Sequence, residues 1–144
     1  MALYITGALC GRVIVDKATN MVSLIDLIRG GAVDKFPFEA PEITVYGDWE
    51  ASSKNEKKFS MRHTVCAPGG KEILSEDSEH PIKSGRTRTV AVIGGFIAEE
   101  PGRYTIATYT KRGRQWDLVA EYPLMLKLQP SPTPKESPDK RSVK

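Results

Sequence analysis

The segment QWDLVAEYPLMLKL, residues 115–128, alternates apolar and polar side chains with a period of two. Trp116, Leu118, Ala120, Tyr122, Leu124, Leu126 and Leu128 fall on one face, and Asp117, Val119, Glu121, Pro123, Met125 and Lys127 on the other. A helix of that length would scatter these residues around its circumference, so the pattern dictates a half-buried antiparallel strand. Pro123 has no N–H to give a neighbouring strand, which places it at a sheet edge or a bulge. Just upstream, RYTIATYT (residues 103–110) is rich in β-branched and aromatic residues, and Lys111-Arg112-Gly113-Arg114 supplies a turn glycine. Together they predict a hairpin that starts after the turn-forming Pro101-Gly102.

The same period recurs through most of the chain. Strands are expected at residues 3–15, 43–49, 59–65 and 72–75, and at 86–97 with a bulge or bend at Gly94-Gly95. Residues 21–28 also fit a helical stripe through Met21, Leu24, Ile25 and Ile28 capped by Asn20. A strand is preferred because the run is short and follows a strong strand and a turn. Short strands with turn signals between them, and no long helical pattern, predict an all-β fold: a two-sheet antiparallel sandwich, immunoglobulin-like, of seven to eight strands.

At 144 residues the chain has room for one domain, residues 1–129, followed by a tail at 130–144. The tail, PSPTPKESPDKRSVK, has Val143 as its only apolar residue apart from proline and is expected to be disordered. It also carries +2 of the formal charge of +3, so the body is almost neutral. Cys10 and Cys66 are the only cysteines, and Trp49 lies too far beyond Cys10 for the immunoglobulin pattern of cysteines and buried tryptophan. Two thiols in β-rich segments read as small buried hydrophobes in a reducing cytoplasm. The opening MALYITGALCGRVIVD lacks a basic leader and is interrupted by Arg12 and Asp16, so neither a signal peptide nor a membrane span is expected.

Motifs for chemistry are sparse. His63 sits in a strand beside Phe59, Met61 and Val65, and reads as an interior residue; His80 falls in a polar loop before Pro81. No nucleophile motif, phosphate-cradling loop or nucleotide fingerprint is present, so no catalytic residue and no cofactor are assigned. The scattered Cys and His residues do not offer zinc spacing, and Glu76-Asp77-Ser78-Glu79 reads as a solvated loop, so no metal is expected. A basic patch of Arg86, Arg88, Lys111, Arg112 and Arg114, with Lys83, could meet phosphate if the hairpin turn lies near residue 86. It lacks interleaved aromatics for base stacking, which argues against a nucleic-acid partner.

Two further features are candidates for contact. Phe36 and Phe38 flank Pro37 in a loop, either as a docking patch or as a cap on the open end of the sandwich, the latter being preferred. Trp49 and Tyr46, if exposed, would form a platform for a carbohydrate or small polar ligand.

The segments CGRVIVDKATNMVSLIDLI and PGRYTIATYTKRGRQWDLVAEYPLMLKL resemble the opening and closing strands of a family of small bacterial proteins with no assigned activity. The resemblance spans residues 3–128 and implies a cytoplasmic bacterial β-sandwich, with no catalytic residue to carry over. The leading expectation is a non-enzymatic interaction or scaffold module, with a protein partner or self-association through an exposed strand edge. The alternative is a small-molecule or carbohydrate-binding domain.

Overall fold

The computed structural model describes residues 2–83 and 85–129. The tail at 130–144, read from the sequence as disordered, lies outside the described residues. Among those described, eleven strands and no helix form. In chain order they are β1 Leu3–Val15, β2 Val22–Leu27, β3 Gly30–Val33, β4 Phe38–Glu39 and β5 Ile43–Glu50. There follow β6 Lys58–Cys66, β7 Glu72–Pro81, β8 Arg86–Ile93, β9 Ile97–Ala98, β10 Gly102–Arg112 and β11 Gln115–Leu128. One sheet has the order β2-β1-β5-β8, a second the order β3-β11-β10-β6-β7, and β4 pairs with β9 alone.

The all-β expectation holds, and residues 22–27 are strand rather than helix. The strand number exceeds the expected seven to eight because β3, β4 and β9, of two to four residues each, are too short for an alternation to show. The expectation of purely antiparallel pairing is corrected by β3, which runs parallel to β11 from Gly30↔Met125 to Val33↔Leu128. The acidic run Glu76-Asp77-Ser78-Glu79, expected as a loop, and His80 with it, lie in β7, paired along β6.

Turn chemistry accounts for the hairpins. Gly113 takes φ 64° in the two-residue connection between Arg112 and its partner Gln115, a left-handed conformation that glycine adopts without strain. Between β1 and β2, the Asp16 carboxylate accepts from the Ala18 N–H at 2.9 Å and Asn20 takes φ 62°, the self-bonded turn that these side chains favour. Pro123 is placed as its chemistry requires: β3 covers β11 only from Met125 onward, so beside Pro123 that flank of β11 is open.

Leu9, Ile43, Val45 and Ile93 of the first sheet share one core with Val65, Ile106, Leu124 and Leu126 of the second, so the two sheets face each other. Ala40, Phe96 and Ala98 complete this core near the β4–β9 pair. A second cluster fills the other end, where Trp49 packs against Phe59 at 4.8 Å between ring centroids, with Met61, Ile82 and Ala2 around them. Tyr4 of β1 meets Tyr122 of β11, whereas Thr89 of β8 lines the same interior gap as His63 of β6. Strand β1 therefore approaches β11, and at the start of β8 the Thr87 hydroxyl lies 3.4 Å from the Pro81 carbonyl oxygen at the end of β7.

The alternation in β11 changes phase midway. The β10–β11 register slips between Thr108 and Tyr109, making Val119 the extra residue of a bulge. Val119 consequently packs on the second core cluster, while Leu118 is 50% exposed. Trp116 follows Leu118 to the outer surface, where the Arg62 guanidinium carbon sits 4.2 Å from its ring centroid.

Candidate functional site

Trp49 is fully buried, and its indole N–H donates to the Thr89 hydroxyl at 2.9 Å. Tyr46 is 8% exposed. The two residues do not form the expected platform: Trp49 follows Ile43 and Val45 into the interior, whereas Tyr46, three residues earlier and opposite Val90, lies on the other face of β5 and is itself covered. Phe36 and Phe38 are half-buried against the main core, with Phe38 paired to Ala98 across β4 and β9. They cap the interior.

The basic group is divided between the two sheets. Lys111, Arg112 and Arg114 lie at the β10–β11 turn, where Arg112 is bonded to Asp117 at 2.7 Å and Lys111 sits 5.7 Å from the Trp116 ring centroid. Arg112 in turn holds the Asp117 carboxyl below the usual carboxylate range. Arg86 and Arg88 belong to β8 in the other sheet. There Arg86 donates to Asp48 at 2.6 Å and Arg88 to the Asn20 carbonyl oxygen at 2.8 Å.

Around this second pair the structure builds a recess of about 590 Å³, lined by Asn20, Asp48, Lys83, Arg86, Thr87 and Arg88. Three cations face one carboxylate, so the recess favours an anionic group. Its residues come from the β1–β2 turn, from β5 and from the start of β8. Asn20, Asp48 and Thr87 carried no sequence signal for such a site, because only the folded sheet brings them together.

The recess sits at one end of a free strand edge. Strand β8 pairs with β5 along all eight residues from Arg86 to Ile93, and it is the last strand of its sheet. Its other flank therefore offers a row of backbone donors and acceptors to a further strand. Val90 and Val92 are 49% and 50% exposed on the outer face, in line with Arg86 and Arg88. Strand β7 is the corresponding edge of the second sheet and is acidic: Arg62 bonds Asp77 at 2.6 Å, and Lys58 lies 3.6 Å from Glu79.

Polar groups inside the core form a separate layer. Tyr4 and Tyr122 share a short hydroxyl–hydroxyl hydrogen bond, and burial pushes both phenols up. A Cβ at Gly7 would run into both hydroxyls and the Tyr46 carbonyl, so only glycine leaves room for this pair. His63 is 3% exposed, and burial, with the nearby His80 adding to it, lowers its pKa to about 4. It is neutral at pH 7. The gap bounded by these residues leaves no room for a water-sized ligand.

Among the described residues, no three His, Cys, Asp or Glu side chains cluster as metal ligands, and Cys10 and Cys66 are free. No helix among them is long and apolar enough to cross a membrane. Comparison with protein-family models and with curated proteins gives no match to this chain.

Proposed function

We propose that the chain is an immunoglobulin-like β-sandwich that acts as a non-enzymatic protein-interaction module, taking an extended partner segment along β8. The order β1-β5-β8 corresponds to strands A-B-E of that fold, and β11-β10-β6-β7 to G-F-C-C′. Tyr104, near the start of β10, donates its hydroxyl to the Glu100 carbonyl at 2.7 Å. The contact resembles a tyrosine corner of strand F and supports the immunoglobulin-like reading. Two features differ from antibody domains: the buried tryptophan stands on β5, in the B position, and the cysteines are unpaired. The resemblance to small bacterial proteins supports a cytoplasmic setting for the same module.

The observation that carries the reading is the free β8 edge with a basic recess at its start and exposed valines along it. Strand addition draws affinity from main-chain hydrogen bonds and specificity from alternate side chains. Here the alternate positions Arg86, Arg88, Val90 and Val92 select acidic and then apolar residues in an antiparallel partner. The platform needed for a carbohydrate ligand is lost because Trp49 and Tyr46 are buried on opposite faces of β5, and a phosphate surface is weakened by the division of the basic residues.

The test uses a synthetic peptide alternating valine with aspartate or glutamate, titrated into isotope-labelled protein and followed by amide NMR. Shifts and slowed exchange should concentrate in residues 86–93, weaken with salt, and disappear in the double variant Arg86→Glu/Arg88→Glu. An unperturbed β8 at millimolar peptide refutes strand addition at this edge.

A further inference from the structure

We propose that the basic recess at the start of β8 is a site for one phosphate monoester, carried as a phosphorylated side chain by the segment that pairs with β8. This rests on the strand-addition reading above and names the chemistry of its anionic residue.

The recess is assembled from distant parts of the chain. Asn20 lies in the turn between β1 and β2, yet its carbonyl oxygen accepts from Arg88, on a strand separated from β1 by β5. The hairpin is therefore folded back onto the outer face of the first sheet, where the Thr44 hydroxyl lies 3.5 Å from the Gly11 carbonyl oxygen and Tyr46 is covered. Its turn supplies one wall of the recess, and Asp48, Lys83, Arg86, Thr87 and Arg88 supply the rest. Two of the cations are held in place. Arg86 gives one terminal N–H to Asp48 at 2.6 Å, and Arg88 gives one to Asn20 at 2.8 Å. A guanidinium has five N–H donors in a fixed plane, so each arginine keeps donors for a ligand after one contact has set its orientation. Lys83 lines the same recess and has no ion-pair partner among the described residues.

Charge decides the ligand. The lining side chains carry three positive charges and one negative, an excess of two. Glu50, across the ladder from Arg86, lines a neighbouring depression with Lys54, and the Asp16 carboxylate accepts from the Ala18 N–H in its own turn. A carboxylate brings one charge and two oxygens, which leaves one cation unanswered. A phosphate monoester brings nearly two charges near neutral pH and three acceptor oxygens, an array that arginine binds in bidentate fashion and lysine as a point charge.

Spacing selects one phosphate on a peptide rather than a polynucleotide backbone. Beyond Arg88 the outward residues of β8 are Val90 and Val92, while Lys111, Arg112 and Arg114 lie at the β10–β11 turn in the other sheet. No row of cations leads away from the recess among the described residues, whereas nucleic acid presents a phosphate at every nucleotide. The division that weakens an extended phosphate surface thus leaves a place for a single group. In an antiparallel segment the residues facing Val92 and Val90 come before the one facing Arg88. The matching pattern is two apolar residues at alternate positions, followed at the next alternate position by phosphoserine or phosphothreonine.

The experiment titrates the whole isotope-labelled chain and follows its amides by NMR. The probes are an end-capped peptide of that pattern with phosphoserine, its aspartate and serine counterparts, and a single-stranded oligonucleotide. The phosphopeptide should bind roughly tenfold or more tighter than the aspartate peptide and shift Lys83 and residues 86–93. Lys83→Gln and Arg88→Gln should each remove most of that advantage, while changing affinity for the serine peptide by about twofold or less. Arg88→Gln also loses the contact with Asn20; Lys83→Gln has no such contact to lose, so it separates loss of the ligand from loosening of the recess. An aspartate peptide that binds as well as the phosphopeptide overturns the phosphate site and leaves strand addition standing. A phosphate advantage that survives both variants also overturns the site, and an oligonucleotide bound more tightly than the phosphopeptide overturns the peptide source. Phosphopeptide shifts confined to the recess, with none at residues 89–93, uphold the phosphate site and overturn strand addition. If no probe perturbs these residues, both readings fall.

Discussion

The indole N–H of Trp49 reaches the hydroxyl of Thr89 at 2.9 Å across β5 and β8, with neither residue more than 2% exposed. No water competes for either group, so the bond joins the edge strand to the interior. Thr89→Val keeps the shape but leaves the indole N–H without its acceptor, and should cost about 1–3 kcal/mol in denaturant unfolding. Thr89→Ser, which keeps the oxygen, should recover most of the loss.

The Tyr4–Tyr122 pair is tested by a double-mutant cycle. Each single change to Phe strands one buried hydroxyl and should cost about 1–2 kcal/mol, whereas the double change removes both and should cost less than the sum. Additive losses would show that the two hydroxyls do not depend on each other.

His63 gives the fold a pH dependence whose sign is fixed by burial. Its folded pKa lies near 4 and its ordinary value is 6.5, so between these limits the unfolded chain binds more protons than the folded one. Stability should therefore be full above pH 6.5 and fall as the pH drops toward 4, by up to about 3 kcal/mol from this residue. The difference in unfolding free energy between wild type and His63→Gln, measured across that range, isolates the effect; a flat difference refutes it.

The bulge in β11 makes a contrast between neighbours. Val119→Asp buries a carboxylate against Phe59 and Met61 and should destabilise by at least about 2 kcal/mol. Leu118→Asp, on the outer surface, should change stability by about 0.5 kcal/mol or less. The reverse ranking would move the register.

Local signals account for what the sequence made legible. The KRGR turn and the alternation around it located β10 and β11, and Phe59, Met61, His63 and Val65 were read correctly as one buried face. The phase change at Val119 was hidden because a bulge exists only relative to a partner strand. Strand β7 was expected only at residues 72–75, and its continuation through 76–81 was hidden because Glu and Asp are poor strand formers, yet an edge tolerates them and is protected by them. Trp49, considered from the sequence as a platform if exposed, instead follows Ile43 and Val45 into the core, and Asp48 lies on the opposite face of β5. As for the site, Arg86 and Arg88 were singled out, but their separation from Lys111, Arg112 and Arg114 follows from sheet order, which no short stretch of sequence encodes.

The parallel ladder between β3 and β11 bears on how the molecule carries mechanical load. Arg29 and Val33 bond to Met125 and Gln129 at its two ends, at 2.9 and 2.7 Å. Tension applied between the start of β3 and the end of β11 pulls those strands past each other, so every rung is strained together and none yields first. The β10–β11 hairpin, pulled from its open end, would peel one rung at a time. A short strand of four residues thus places the chain's resistance to stretching where the two sheets are stitched together, on the side away from the open edges.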